Sequence, residues 1–106
     1  MTKAEREVRE LLALYRKKGS KAHRSQMIDL AVRAVLDMCA HSQADSVYQI
    51  GNQHVRHYFK ALRLSGRSDK TCMTHFYALN ALWSAMKRPP PPRPWLGTHS
   101  ISSTPA

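Results

Sequence analysis

Between Ser68 and Arg88 the apolar residues Cys72, Phe76, Leu79, Trp83 and Met86 recur at three- and four-residue steps, with Leu82 beside them. That period gathers them on one side of an α-helix. Lys70, Thr74, Tyr77, Asn80, Ser84, Lys87 and Arg88 fall toward the other side. Ser68 or Asp69 can accept a hydrogen bond from the free N–H groups of the first turn. Lys87 and Arg88 suit the negative end of the helix dipole, and Pro89 forbids continuation. The pattern therefore predicts a helix over about 69–88, with a core face and a face of cations, hydroxyls and one aromatic ring.

The same reading predicts three earlier helices. Val8, Leu11, Leu12 and Tyr15 stripe a helix over about 4–18, in which Glu5, Glu7 and Glu10 precede Arg16, Lys17 and Lys18, the order the dipole favours. Gly19 ends it, and Ser20 can cap a longer helix over about 21–41. There Met27, Ile28, Ala31, Val32, Val35, Leu36 and Cys39 face inward, leaving Lys21, Arg24 and Arg33 for solvent or a ligand. His41 to Gly51 reads as a polar connection with Val47 and Ile50 tucked under the bundle. Asn52 is expected to cap a third helix, about 52–64, with Val55, Tyr58, Phe59 and Leu62 inward and Arg56, His57, Lys60 and Arg63 outward. A tight turn follows, with Gly66 placed for a left-handed conformation.

No stretch alternates long enough for a strand, and there is no internal repeat. Four stripes joined by short links bury themselves only by packing together, so the fold class is all-α, a compact four-helix bundle over residues 1–88. From Pro89 the composition changes to PPPPRP and then to small polar residues. Residues 89–106 read as a stiff Pro-rich linker and a disordered tail. A proline run flanked by Arg also suits proline-reading domains, but a helix stop plus linker is the plainer reading.

Charge adds a partner class. Lys and Arg number 17 against 7 Asp and Glu, a formal net charge of +10 over 106 residues. Such a field draws polyanions, of which nucleic acid is the commonest for a small basic domain. No basic helix carries an exposed run of large apolar residues, no apolar stretch is long enough to span a bilayer, and the N-terminus lacks a signal-peptide core. A membrane is not among the expected partners, and a cytoplasmic location is expected. Cys39 and Cys72 both fall on apolar faces, as buried thiols do.

Within 56–70, Arg56, Lys60, Arg63, Arg67 and Lys70 face one acid, Asp69. Arg56, Lys60 and Arg63 share a helix face at steps of four and three, and the turn brings Arg67 and Lys70 near them. Phosphates require positive donors spaced along a surface. A solvated helix face is the competing reading, but solvated faces normally mix signs. Thr71, Thr74 and Tyr77 add short donors and a stacking ring, although Thr71 can equally cap the helix and Tyr77 roof the core. The pairs His54/His57 and Cys72/His75 have helix-face spacing for a four-ligand zinc set. The faces disagree, because Cys72 lies on the apolar stripe while both histidines lie off the Val55/Phe59 face, so no metal or other cofactor is expected. Neither a Gly-rich phosphate loop, nor paired carboxylates, nor a Ser/His/Asp set emerges, and both thiols look inward. The chain does not read as an enzyme.

Residues 46–88 resemble the core-binding domain of tyrosine recombinases, the N-terminal SAM-like helical domain of phage integrases. The resemblance runs through an apolar lead (Val47, Ile50) and a helix with Val55, Tyr58, Phe59 and Leu62. Gly66 then precedes Ser68-x-x-Thr71, opening a helix with Ala78, Leu79, Leu82 and Trp83. The two preceding helices fit in length and order, while the Thr and Tyr frequent in the family's second helix align with Arg24 and Ile28. The resemblance implies a domain that grips DNA through its second and fourth helices as half of a clamp. Carried over by position, it points to Lys21 and Arg24, to Lys70, Thr71, Thr74 and Tyr77, and to Arg67 in the turn. The family's cleavage chemistry needs a second domain with an Arg, Lys, His, Arg and Tyr set that has no counterpart here. The expectation is a non-catalytic binder of double-stranded DNA, from a bacterium, phage or plasmid. It would act as accessory factor or regulator beside a recombinase or other DNA-processing protein, or survive as an integrase remnant. The alternative is a basic protein-interaction module that docks an acidic partner.

Overall fold

The computed structural model describes residues 2–13 and 21–94. Among them are four α-helices, α1 (Lys3–Ala13), α2 (Lys21–Ser42), α3 (Asn52–Leu64) and α4 (Asp69–Ala85), with one 3-10 turn at Val47–Gln49 and no strand. The expected continuation of the first helix through Tyr15 to Lys18, and Ser20 as a cap, lie outside the described residues. α2 packs against each of the other helices, and α4 closes against α1 and α3.

The four stripes meet in one core. Val8 and Leu12 of α1, Ala31 and Val35 of α2, Val55 of α3, and Leu79 and Leu82 of α4 are almost wholly removed from solvent. Val47 and Ile50 are equally buried, so the connection after α2 lies under the bundle. It is held there by Glu7, whose carboxylate accepts from the Ser46 hydroxyl at 2.9 and 3.0 Å and from the Val47 N–H at 2.9 Å. Beyond the dipole, Glu7 supplies a partner for a buried hydroxyl and a backbone donor 39 and 40 residues away.

The helix ends share one device. After α3, the Arg67 N–H donates to the Leu62 carbonyl and the Gly66 N–H to that of Arg63, with Gly66 at φ 88°. After α4, Arg88 N–H reaches Trp83 O at 2.9 Å and Lys87 N–H reaches Ser84 O, with Lys87 at φ 60°. Both are Schellman closures around a left-handed residue. The second one ends α4 at Ala85, short of the expected Arg88, before Pro89 can act. At the start of α3 the cap is Gly51 rather than Asn52; its N–H donates to His54 Nδ1 at 2.8 Å.

Arg88 is turned back on the bundle. Its guanidinium donates to Ile50 O at 2.7 Å and Tyr48 O at 2.9 Å and lies 5.6 Å from the Trp83 ring centroid. Past it, Pro91 and Pro94 are buried and Arg93 sits 5.1 Å over the Phe76 ring. The first residues of the expected linker thus lie against the domain, because proline rings are apolar and Phe76 offers an aromatic seat to the intervening cation. Residues 95–106, expected to be a disordered tail, lie outside the described residues.

Candidate nucleic-acid interface

The head of α4 is built by Ser68, whose hydroxyl accepts the Thr71 N–H at 3.1 Å and donates to Thr71 Oγ1 at 3.1 Å. Thr71 is therefore part of the cap, and its hydroxyl is engaged there. Asp69 sits in the first turn and forms an ion pair with Arg63 of α3, which holds the two helices at a fixed splay and takes both charges out of play. Arg67 and Lys70, on either side of that pair in sequence, are exposed and have no carboxylate within salt-bridge distance among the described residues.

One turn on, Thr74 is exposed and returns its hydroxyl proton to Lys70 O at 2.9 Å, leaving oxygen lone pairs outward. Tyr77 is 51% exposed, its ring edge-on to Phe76 at 5.8 Å. Thr74 and Tyr77 form one wall of a recess of about 170 Å³ whose other wall is His23, Gln26, Met27 and Leu30 of α2. The start of α2 thus faces the middle of α4. Farther along α2, Arg33 lines a strip with Gln26, Asp29 and Leu30, is exposed, and has no carboxylate within salt-bridge distance among the described residues.

Lys21 and Arg24 sit on another side of α2. With Ser25 and Ile28 they line a recess against Arg9, Leu12 and Ala13 of α1. The Arg24 Nε is buried there without a hydrogen-bond partner among the described residues. A residue at position 24 lies about 100° from one at 23, which is enough to turn it from α4 to α1. His23, Gln26 and Arg33 take the place beside α4 that the carry-over gave to Lys21 and Arg24. Arg56 and Lys60 are exposed on α3, a strip apart from the side of α3 that meets α2, where Gln53, His54, His57, Tyr58 and Ala61 line a recess of about 700 Å³ with Asp37, Met38, His41 and Ser42. The structure therefore sets Lys70, Thr74 and Tyr77 on one face of α4 with Arg67 exposed in the turn that leads into it, commits Arg63 and Thr71 to local bonds, and leaves Arg56 and Lys60 exposed on α3.

Under the basic corner, Tyr58 of α3 and His75 of α4 form a hydrogen bond of 2.7 Å between Tyr58 Oη and His75 Nδ1. Burial, then Arg67 and Arg33, push the His75 imidazole below its ordinary range. Burial, then Asp37, push the Tyr58 phenol up to about 12. Both shifts favour the neutral form of each group, and the His75 tautomer sets which of the two donates. His75 and the buried Cys72 are thereby separated from His54, which is engaged at the head of α3. Among the described residues no three His, Cys, Asp or Glu side chains are placed to hold a metal ion, and no helix is long and apolar enough to cross a membrane.

No protein-family model, curated protein or solved structure matches this chain.

Proposed function

We propose that this domain binds duplex DNA without catalysing a reaction, gripping backbone phosphates with the corner between α3 and α4 and offering limited base contact from α4. The observation that carries the reading is the run of Arg67, Lys70, Thr74 and Tyr77. It holds two cations without acidic partners among the described residues, Arg67 in the turn and Lys70 in the first turn of α4, followed on α4 by an outward hydroxyl and a half-exposed ring. Cations spaced along a surface recover counterion entropy from DNA, and short polar or aromatic groups beside them reach into a groove. The resemblance to the recombinase core-binding domain supports the same face. It suggests a role as accessory factor, regulator or integrase remnant at a recombination site in a bacterium, phage or plasmid.

A salt titration of binding to duplex DNA, followed by fluorescence anisotropy, tests the reading. Reversing Arg67 and Lys70 to Glu is expected to weaken binding at least tenfold and to flatten the plot of log affinity against log salt by about two units, with helicity unchanged. Equal binding by the reversed variant sinks the site. Leu64, 79% exposed at the end of α3, favours the second reading, an acidic protein partner with an apolar anchor. Under that reading Leu64→Ser abolishes capture of the partner, and affinity for DNA is negligible at moderate salt.

A further inference from the structure

Past α4, the residues that meet the bundle come at steps of three. Arg88 is latched to Ile50 O and Tyr48 O, and Pro91 and Pro94 are buried. Between them Pro89, Pro90 and Arg93 are exposed and Pro92 is half-buried. Three residues per turn is the period of the polyproline II helix. The sequence favours that conformation, because each proline ring fixes its own φ and holds the residue before it extended. From Arg88 to Arg93, every residue but Pro92 precedes a proline. The segment runs back along α4, since Arg88 lies 5.6 Å from the Trp83 ring centroid and Arg93 lies 5.1 Å from that of Phe76, nearer the start of the helix.

A three-sided helix seated on one side keeps two for a partner. One carries Pro89 and Pro92, the other Pro90 and Arg93. We propose that residues 89–93 are a pre-ordered ligand for a proline-reading protein module, whose groove of aromatic rings and acidic rim takes the two outward rows while the bundle holds the third. Polyproline helices are recognised by such aromatic grooves. Lys87 and Arg93, at either end of the run, are exposed and have no carboxylate within salt-bridge distance among the described residues, which sets the sign of the rim. The Phe76 ring steadies the Arg93 guanidinium without accepting its N–H groups in hydrogen bonds, so they remain for a carboxylate. A free peptide gives up chain entropy when it docks; here the latch at Arg88 and the seats of Pro91 and Pro94 have already removed much of it. The inference uses residues that the DNA-binding reading leaves out and does not depend on it.

The test is isothermal titration of the whole chain with a panel of purified SH3 and WW domains whose grooves are rimmed with acidic residues. At least one member is expected to bind. Changing the outer row, Pro89→Ala with Pro92→Ala, should weaken that binding about tenfold, as should Arg93→Glu. The outer-row variant should keep the wild-type Tm and the wild-type affinity for duplex DNA. Pro91→Ala, on the seated row, should instead lower Tm, with a smaller loss of binding. No binding by any member of the panel, or equal binding by the outer-row variant, overturns the assignment. So does a loss of binding in that variant accompanied by the fall in Tm seen for Pro91→Ala. Duplex affinity is read separately, so a wild type that fails to bind DNA leaves this ligand standing, and the reverse holds too.

Discussion

The two ends of this bundle use charge in opposite ways. At the end where α1 meets the connection before α3, the charged groups are occupied. Glu7 serves Ser46 and Val47, Arg9 lies between Glu5 and Asp29 at 3.1 and 3.4 Å, and Arg88 closes on two carbonyls and an indole. At the corner between α3 and α4 a single ion pair, Arg63 with Asp69, is flanked in sequence by Arg67 and Lys70, for which the described residues supply no carboxylate within salt-bridge distance. Folding needs the bonds of Glu7 above all, because they satisfy the buried Ser46 hydroxyl and the Val47 N–H that packing has taken from water, while the pairs of Arg9 lie in solvent and add little. It gains nothing from the second set, whose mutual repulsion raises the free energy of the folded state and would fall with salt or with an anionic ligand. The contrast separates charges that hold the chain from charges that await a partner.

The sharpest way to break that contrast is at Glu7. Glu7→Ala leaves a buried hydroxyl and the Val47 N–H without their acceptor, and is expected to cost about 2–3 kcal/mol, or roughly 10–15 °C in Tm, measured by circular dichroism. Duplex affinity measured well below that Tm should be unchanged, whereas reversal at the basic corner should do the converse. A smaller effect comes from pH. His75 has its folded pKa lowered, by burial first and then by Arg67 and Arg33. The unfolded chain takes up the proton first, near the ordinary value of 6.5, so the contribution is fully present above that pH and is lost as pH falls below it. Urea melts between pH 7.5 and 5 should show stability declining on the acid side, and His75→Gln should flatten that decline. Smallest is Lys87→Gly. It relieves a side chain held at φ 60° and should raise stability by about 0.5–1 kcal/mol without touching either end's charges.

Much of the fold is legible in the apolar spacing. Cys72, Phe76, Leu79, Leu82 and Trp83 are all buried, as are Val55, Tyr58 and Phe59, because a three-to-four period leaves a helix one side to bury. Gly66 could be placed because a sharp reversal needs a left-handed residue. What could not be read was azimuth and distance. In α2, Met27, Ala31, Val32, Ala34, Val35, Met38 and Cys39 are all buried, an apolar band so broad that its two edges look alike. The spacing gives no means of deciding that Arg24 turns to α1 while His23, Gln26 and Arg33 turn to α4. A faint signal existed in Gln26, a polar residue beside the band at the step that leads to Leu30 and Arg33. Glu7 was harder still, since its partners are some forty positions away and only tertiary packing brings them together. The seating of Pro91 and Pro94 belongs to the same class: a proline run signals stiffness, while the burial of its apolar rings depends on what the bundle presents to them.

Arg88 gives the α3–α4 pair a second join. One end of the pair is closed covalently by the short turn through Gly66, and the other by a guanidinium latched to the carbonyls of Tyr48 and Ile50, just ahead of α3. The two helices thus make a frame fastened at both corners, not a hinged arm. A polyanion that pulls on the Gly66 corner loads a stiff lattice, so little conformational entropy is lost on docking and more of each contact is kept as affinity.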